Sequence, residues 1–406
     1  MSTKYDYIVV GVGGVGSGTL YWLSRNAPGK KILGIEQFKL GHVNGGSQDV
    51  SRIIRMSYPQ EECAKLTPHT YTAWEAVERE SGVQLVYRTG GLYLSTAEGG
   101  EIGTILSVYN SMVKTGTRCE LLNGADIRKR WPTITFPDST KAVYDPECGL
   151  VDAGMGNSMH QQLAEARGAQ IIENTKVLRI ENRGPEDLLV HTSNGQYQCR
   201  KVIITAGAWL NDVLSTVGCH IPVKVTQENV SFFATKYPKF FTKDKCPVLL
   251  YASNNLNIYT LPIHSIGGFK VGVDAGGNAV SGDNRNFVPD PVREQTVTDF
   301  LKKYIPRAVG RIMETKTCLY TMTRDRTFVI DNLRRSGNED VIVCCGAGHA
   351  FKFASLFGRI LSEMAITGTT KHDISKFTLD RPAITDPNYV PNFTTNISPP
   401  QTSSKL

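Results

Sequence analysis

Apolar positions come in short unbroken runs near the N-terminus and in alternating runs further on. The stretch YDYIVV reads as a buried strand from Tyr5 to Val10, and the turn after it leads into a helix carrying Leu20, Trp22 and Leu23. A second short run, KKILGIE, ends at Glu36 and predicts another buried strand. Two later stretches, AQIIENTKVLRIEN at 169 to 182 and KVIITAGAWLNDVL at 201 to 214, read as strands that return to the same unit, the second closing on a glycine turn. Between and after them, GGLYLS and NIYTLPI carry aromatic and β-branched residues typical of a sheet with one buried face. Strands interleaved with helices predict an α/β fold with a discontinuous first unit and a second unit on a mixed β-sheet. No repeat of 20 to 50 residues is visible.

The turn after the first strand holds the first candidate chemistry. Gly11, Gly13 and Gly16 stand in the spacing GxGxxG between a strand and a helix. The first allows the tight turn, the second lets a pyrophosphate approach the backbone, and the third lets helix and strand pack closely. The helix N-terminus then offers N–H groups and a positive dipole end to phosphates. Glu36, twenty residues past Gly16, closes the next strand, where a carboxylate binds ribose hydroxyls and repels a 2′-phosphate. On residue type alone Glu36 could equally be a solvated strand end, and the loop does not separate FAD from NAD.

Composition narrows the classes. A chain of 406 residues exceeds the size of one growing core, so two domains or one large discontinuous one are expected. The net charge of +7 comes from scattered Lys and Arg, without the basic stripe of a nucleic-acid binder, and suits a small anionic substrate. Nine cysteines in no metal-ligand spacing point to reduced thiols, with neither disulfides nor a metal site. No apolar run reaches the length of a membrane span. From 385 to 406 the chain is rich in Pro, Asn, Thr and Ser, predicting a flexible tail, and its last residues, Ser404, Lys405 and Leu406, match the peroxisomal address read by an import receptor.

Three blocks then align in order: the glycine loop, SRIIR at 51 to 55, and CLYTMTRDRTFVIDN followed by GAGHAFKF at 346 to 353. Together they resemble the FAD-dependent amine oxidase family that contains monomeric sarcosine oxidase, N-methyltryptophan oxidase, pipecolate oxidase and, further off, fructosyl amino acid oxidases. The likeness runs through DISKFTLDRPAI at 373 to 384. It implies a Rossmann-like, glutathione-reductase-like FAD-binding domain formed by 1–87, 149–215 and 317–384, and a substrate domain formed by 88–148 and 216–316.

By position, the resemblance assigns Ser47, Ser51 and Arg52 to the cofactor, Val177 to the adenine, and the turn at Ala206 to the cofactor's surroundings. It gives Cys318 a thioether to the 8α carbon of the flavin, although a lone cysteine is by type more often an inert buried hydrophobe. It makes Arg55 and Lys352 a clamp for the substrate carboxylate, which by type read as a helix-start charge and a core-edge lysine. Lys270 is implied in the reaction with oxygen, where a fixed cation stabilises developing negative charge. Tyr259 and Tyr320 are implied to touch substrate, and either could be a core tyrosine.

Several positions depart from the family pattern: Asp274 replaces a histidine, Gln60 a glutamate and Gln48 a histidine, Leu20 stands where a small residue is usual, and GAGHAFK is one residue short. These changes bear on substrate identity, since a carboxylate in the pocket repels a second acid or attracts a distal amine. The implied activity is oxidation of a secondary amino acid, N-methyl or cyclic, of the sarcosine or pipecolate type, to an imine with formation of hydrogen peroxide, and the implied state is a monomer. Its rivals are a fructosyl amino acid or saccharopine-type oxidase, a flavin dehydrogenase using a carrier protein, and a nucleotide-binding module without chemistry.

Overall fold

The computed structural model describes residues 4–393. Its first sheet has eight strands. Five of them run parallel in the spatial order Gln170–Ile172, Ile32–Ile35, Lys4–Val10, Gly195–Ile204, Asn338–Cys345. Val329–Leu333 continues the sheet antiparallel beyond the last of these. The hairpin Val177–Asn182 and Leu188–Thr192 pairs with the first half of Gly195–Ile204. Parallel strands need both faces covered, which is why the first strand reads as a solid apolar run. The helices Gly14–Asn26, Glu61–Ser81, Ala153–Ala166 and Ala354–Thr367 supply Leu20, Trp74, Ala164 and Phe357 to the core on one face. Leu20 fits because Gly34 opposite it has no side chain: a Cβ there would lie 2.7 Å from Leu20 Cδ1.

Two predicted strands are shorter than expected. The stretch 169–182 breaks between Ile172 and Val177, where Asn174 takes a positive φ of 51°. The stretch 201–214 is strand only to Ile204; Leu210, Val213 and Leu214 then form one buried face of the helix Leu210–Leu214. Their spacing of three and four residues is helical, and tertiary packing realised it.

The second sheet has nine strands and carries the alternating segments, including Gly91–Ser95 and Asn257–Leu261. Its longest pairing joins Val223–Phe233 to Ile312–Thr323. Leu92, Phe136, Phe241, Phe269 and Phe300 fill its core under the helix Pro291–Tyr304. Residues 317–323, grouped from sequence with the nucleotide-binding segments, are hydrogen-bonded into this second sheet. A small third sheet joins Arg52–Ile54, Gly149–Val151 and Val86–Arg88.

Of the predicted tail, the part up to 393 is described: Asn392 donates its backbone N–H to the Arg324 carbonyl at 2.9 Å, and Arg324 donates to the Ala383 carbonyl at 2.8 Å. Ser404, Lys405 and Leu406 lie outside the described residues. Among the described residues, no helix is long and apolar enough to cross a membrane, and no cluster of His, Cys, Asp or Glu could hold a metal ion.

Candidate active site

One cavity of about 800 Å³ runs from the glycine loop to the second sheet. That volume lies within the range of sites that enclose a cofactor or a drug-sized ligand. At one end are Val10 to Val15, Glu36, Val177 and Ala206; at the other are Arg55, Tyr259, Lys270, Asp274, Cys318, Tyr320 and Lys352.

The glycine end is built for close backbone approach. Gly11 has φ of 85°, and a Cβ at Gly16 would come within 1.9 Å of the Gly11 carbonyl oxygen, so only glycine fits there. Ser47 Oγ accepts the Gly14 N–H at 2.8 Å and lies 2.9 Å from where a Gly13 Cβ would be, so the Ser47 loop closes over the start of the helix. Glu36 is buried and accepts the backbone N–H groups of Val12 at 2.8 Å and Phe38 at 3.1 Å, with His42 Nε2 at 3.4 Å. Burial pushes its pKa up, but His42 and the two N–H donors outweigh burial and hold it below the ordinary value. Glu36 is thus an anion fixed beside the loop. This cradle of small residues, helix start and fixed carboxylate fits a dinucleotide such as FAD.

Midway along the cavity, charges interlock. Asp49 Oδ2 lies 2.5 Å from Lys270 Nζ and 2.5 Å from Arg52 Nη1. Lys270 also donates to the Ser51 carbonyl at 2.6 Å, and Arg52 to the Gly46 carbonyl at 3.1 Å. Burial pulls the Lys270 ammonium down to about 8; Asp49 opposes this and Arg52 adds to it. Cys318 faces the same space from the strand Ile312–Thr323, opposite Glu228 of the neighbouring strand. Burial pushes its thiol up, against the pull of Arg52, so in the protein alone the sulfur is a neutral thiol.

At the far end the Arg55 guanidinium stacks on the rings of Tyr58 at 4.4 Å and Tyr93 at 5.2 Å. Among the described residues, its Nη1 and the Tyr58 hydroxyl are buried without a hydrogen-bond partner of good geometry. A buried guanidinium nitrogen without a partner is costly, and a ligand anion removes that cost. Lys352 Nζ donates to the His349 carbonyl at 2.8 Å, and Trp74 Nε1 holds the Lys352 carbonyl at 2.8 Å. Burial first and Arg55 second bring its ammonium down to about 7. The shortened GAGHAFK loop makes its turn with positive φ at both Ala347 and Gly348.

The sequence alone did not single out Asp49, Tyr58, Tyr93, Arg326 or His349. Arg326 grips Asp274 through two hydrogen bonds of 2.9 and 3.1 Å and, by its charge, keeps that carboxylate low despite burial. Asp274 still exposes about a third of its side chain, 34%, to the cavity. The position of Tyr58, three residues past Arg55, was the only available sequence signal for the stacked pair. Tyr259 and Tyr320 both line the cavity, their hydroxyls kept protonated by burial.

Residues 6–364 match the family described as FAD dependent oxidoreductase. The chain is 33% identical over 388 residues to monomeric sarcosine oxidase of Bacillus sp. (strain B-0618), covering 95% of this chain and 98% of that one. It is 30% identical to peroxisomal sarcosine oxidase of Mus musculus, covering 93% and 96%. Among solved structures it is similar to the open form of NikD, an unusual amino acid oxidase essential for nikkomycin biosynthesis, with a TM-score of 0.83, 25% identity and coverage of 93% and 98%.

Proposed function

The chain belongs to the FAD-dependent oxidoreductase family, and on that premise we propose that it oxidises a secondary amino acid of the sarcosine or L-pipecolate type to an imine, with reduction of oxygen to hydrogen peroxide. FAD, when bound, would supply the acceptor for a hydride from a carbon bonded to the substrate nitrogen and pass two electrons on to oxygen. The unpartnered Arg55 Nη1, buried beside Lys352 in the cavity that begins at the glycine loop, carries this reading.

Each residue has a separable task. Arg55 grips the substrate carboxylate with its planar fork, and Lys352 adds a point charge. Two cations at that end also disfavour a protonated amine nearby, which favours the neutral nitrogen that oxidation requires. Tyr259 and Tyr320 shape the walls around the amine. Gly11, Gly13, Gly16, Glu36, Ser47, Ser51, Arg52, Val177 and Ala206 hold the cofactor. Lys270 serves the reaction with oxygen by stabilising negative charge as it forms. Cys318 tethers the flavin as an 8α-S-cysteinyl group; its place beside Arg52 and Lys270 supports this, as does the Cys-x-Tyr-Thr setting.

The Ser404-Lys405-Leu406 motif and the relatives named as peroxisomal support import into peroxisomes through the receptor for that signal. The relatives named as monomeric support a monomer.

One observation favours a second reading. Asp274, open to the cavity and braced by Arg326, suits a substrate with an extra hydrogen-bond donor or distal amine, as in a fructosyl amino acid or saccharopine-type oxidase. Both readings face the same test. Secondary amino acids added to holoenzyme without oxygen should bleach the flavin absorbance, and oxygen should then restore it with peroxide release. No bleaching with any secondary amino acid would defeat the proposal; bleaching without prompt reoxidation would favour a dehydrogenase that uses a carrier protein.

A further inference from the structure

We propose that Asp49 is a positioning residue for the oxygen step, keeping Lys270 charged and aimed into the cavity by sharing one carboxylate oxygen between Lys270 and Arg52. The proposal rests on the reading of Lys270 given above and deepens it.

The geometry is closed and dry. Asp49 Oδ2 lies 2.5 Å from both Lys270 Nζ and Arg52 Nη1, while Oδ1 accepts the Val50 N–H at 2.7 Å and lies 3.9 Å from Lys316 Nζ. The side chains of Asp49 and Lys270 are each only 3% exposed. The other acceptors of the ammonium, the Ser51 carbonyl at 2.6 Å and hydroxyl at 3.3 Å, are neutral. Other groups around Lys270 are the Arg52 guanidinium, the Cys318 thiol, the Phe232 ring at 5.6 Å and, across Asp49 and over the same ring, the Lys316 ammonium. Glu228 reaches this region only from across Cys318. Asp49 is therefore the one carboxylate in direct contact with Lys270 among the described residues.

The electrostatics follow. Burial and Arg52 both favour a neutral lysine, and Asp49 opposes them, leaving the ammonium at about 8. Take Asp49 away and the lysine faces a like charge with only neutral acceptors, so it gives up its proton at a lower pH than when the carboxylate is present. A neutral amine cannot stabilise the negative charge that oxygen acquires when it takes its first electron. The overall stoichiometry is unchanged: two electrons and two protons pass from reduced cofactor to oxygen, giving hydrogen peroxide. Only the barrier depends on the charge state of Lys270. Asp49 with Arg52 and Lys270 also leaves the triad with one net positive charge, so the carboxylate does not cancel the field it maintains.

The test uses holoenzyme reduced anaerobically with substrate and mixed with oxygen from about pH 6 to about pH 9. Wild-type reoxidation should hold steady and fall only as pH rises through the Lys270 value of about 8. In Asp49→Asn the fall should begin about two pH units lower, making reoxidation at about pH 7 roughly tenfold slower. Asp49→Glu should restore the wild-type profile. As a readout independent of turnover, a pH titration of the oxidised flavin spectrum without substrate should show an inflection that moves down in Asp49→Asn and vanishes in Lys270→Met. If Lys270→Met reoxidises as fast as wild type, the oxygen role of Lys270 fails and the proposal with it. If Lys270→Met is slow but Asp49→Asn keeps the wild-type profile and inflection, the role of Asp49 alone is overturned. Should Asp49→Asn lose its flavin, Asp49→Glu decides: an inflection displaced downward despite the retained charge overturns the proposal, and one at the wild-type position supports it.

Discussion

On the proposed reading, Arg55 and Lys352 would divide the binding of a carboxylate between a permanent charge and a titratable one. Lys352, brought to about 7 by burial and Arg55, loses its proton as pH rises through that value, whereas Arg55 keeps its own. A carboxylate inhibitor should therefore bind most tightly below pH 7 and weaken as pH rises above it; Lys352→Met should remove that dependence, as a spectral titration at several pH values would show. Arg55→Met should weaken substrate and carboxylate inhibitor together by roughly 10- to 150-fold, from about 1.5–3 kcal/mol for a hydrogen bond to a charged group. Equal binding by the variant would remove Arg55 from the clamp. These two residues were legible in the sequence because they sit in blocks shared with a family. Asp49 was not, because an acidic residue in a loop of Gly, Ser and Gln looks solvated until the fold sets Lys270, 221 positions away, against it.

The strand Phe269–Asp274 arranges the middle of the cavity. Lys270, Gly272 and Asp274 alternate onto one face, so the Lys270 ammonium and the Asp274 carboxylate stand on the same side about 13 Å apart. Gly272 between them leaves room for Tyr259, whose hydroxyl would lie 2.5 Å from a Cβ at that position. Gly272→Ala should displace Tyr259, destabilise the protein by about 1–3 kcal/mol in urea unfolding, and raise KM. A similar argument applies to the helix Pro291–Tyr304, where buried Arg293 binds Glu228 at 3.1 Å on the strand facing Cys318. Arg293→Met should leave that carboxylate buried without its cation, with only the Thr226 hydroxyl and the Gly277 N–H as donors among the described residues, at a cost of about 3–5 kcal/mol, seen as a lower midpoint in the same unfolding experiment. At this scale the sequence was readable where one period dominated, as in Tyr5 to Val10 and the glycine loop. It was ambiguous where a strand passed into a short helix, as at Leu210, because a few apolar residues fit either period.

Across the whole molecule, the cavity lies where the two large sheets meet, and its walls come from segments far apart in the chain. The glycine loop comes from the first sheet; Lys270, Asp274 and Cys318 come from the second; Lys352 follows the last parallel strand of the first. Sequence patterns suggested a discontinuous first unit because the strands at Val177 and Gly195 return to it after an alternating segment. They gave no hint that Arg326, held in a turn with φ of 52°, would brace Asp274, since that pairing depends on two elements 52 residues apart. The most direct test of the account is a crystal structure of the FAD holoenzyme with a bound carboxylate inhibitor. We expect the flavin ring bonded to Cys318 Sγ, with the inhibitor carboxylate on Arg55 and Lys352 and Lys270 close to the ring. A carboxylate bound elsewhere, or a flavin lying away from Cys318 and Lys270, would contradict it.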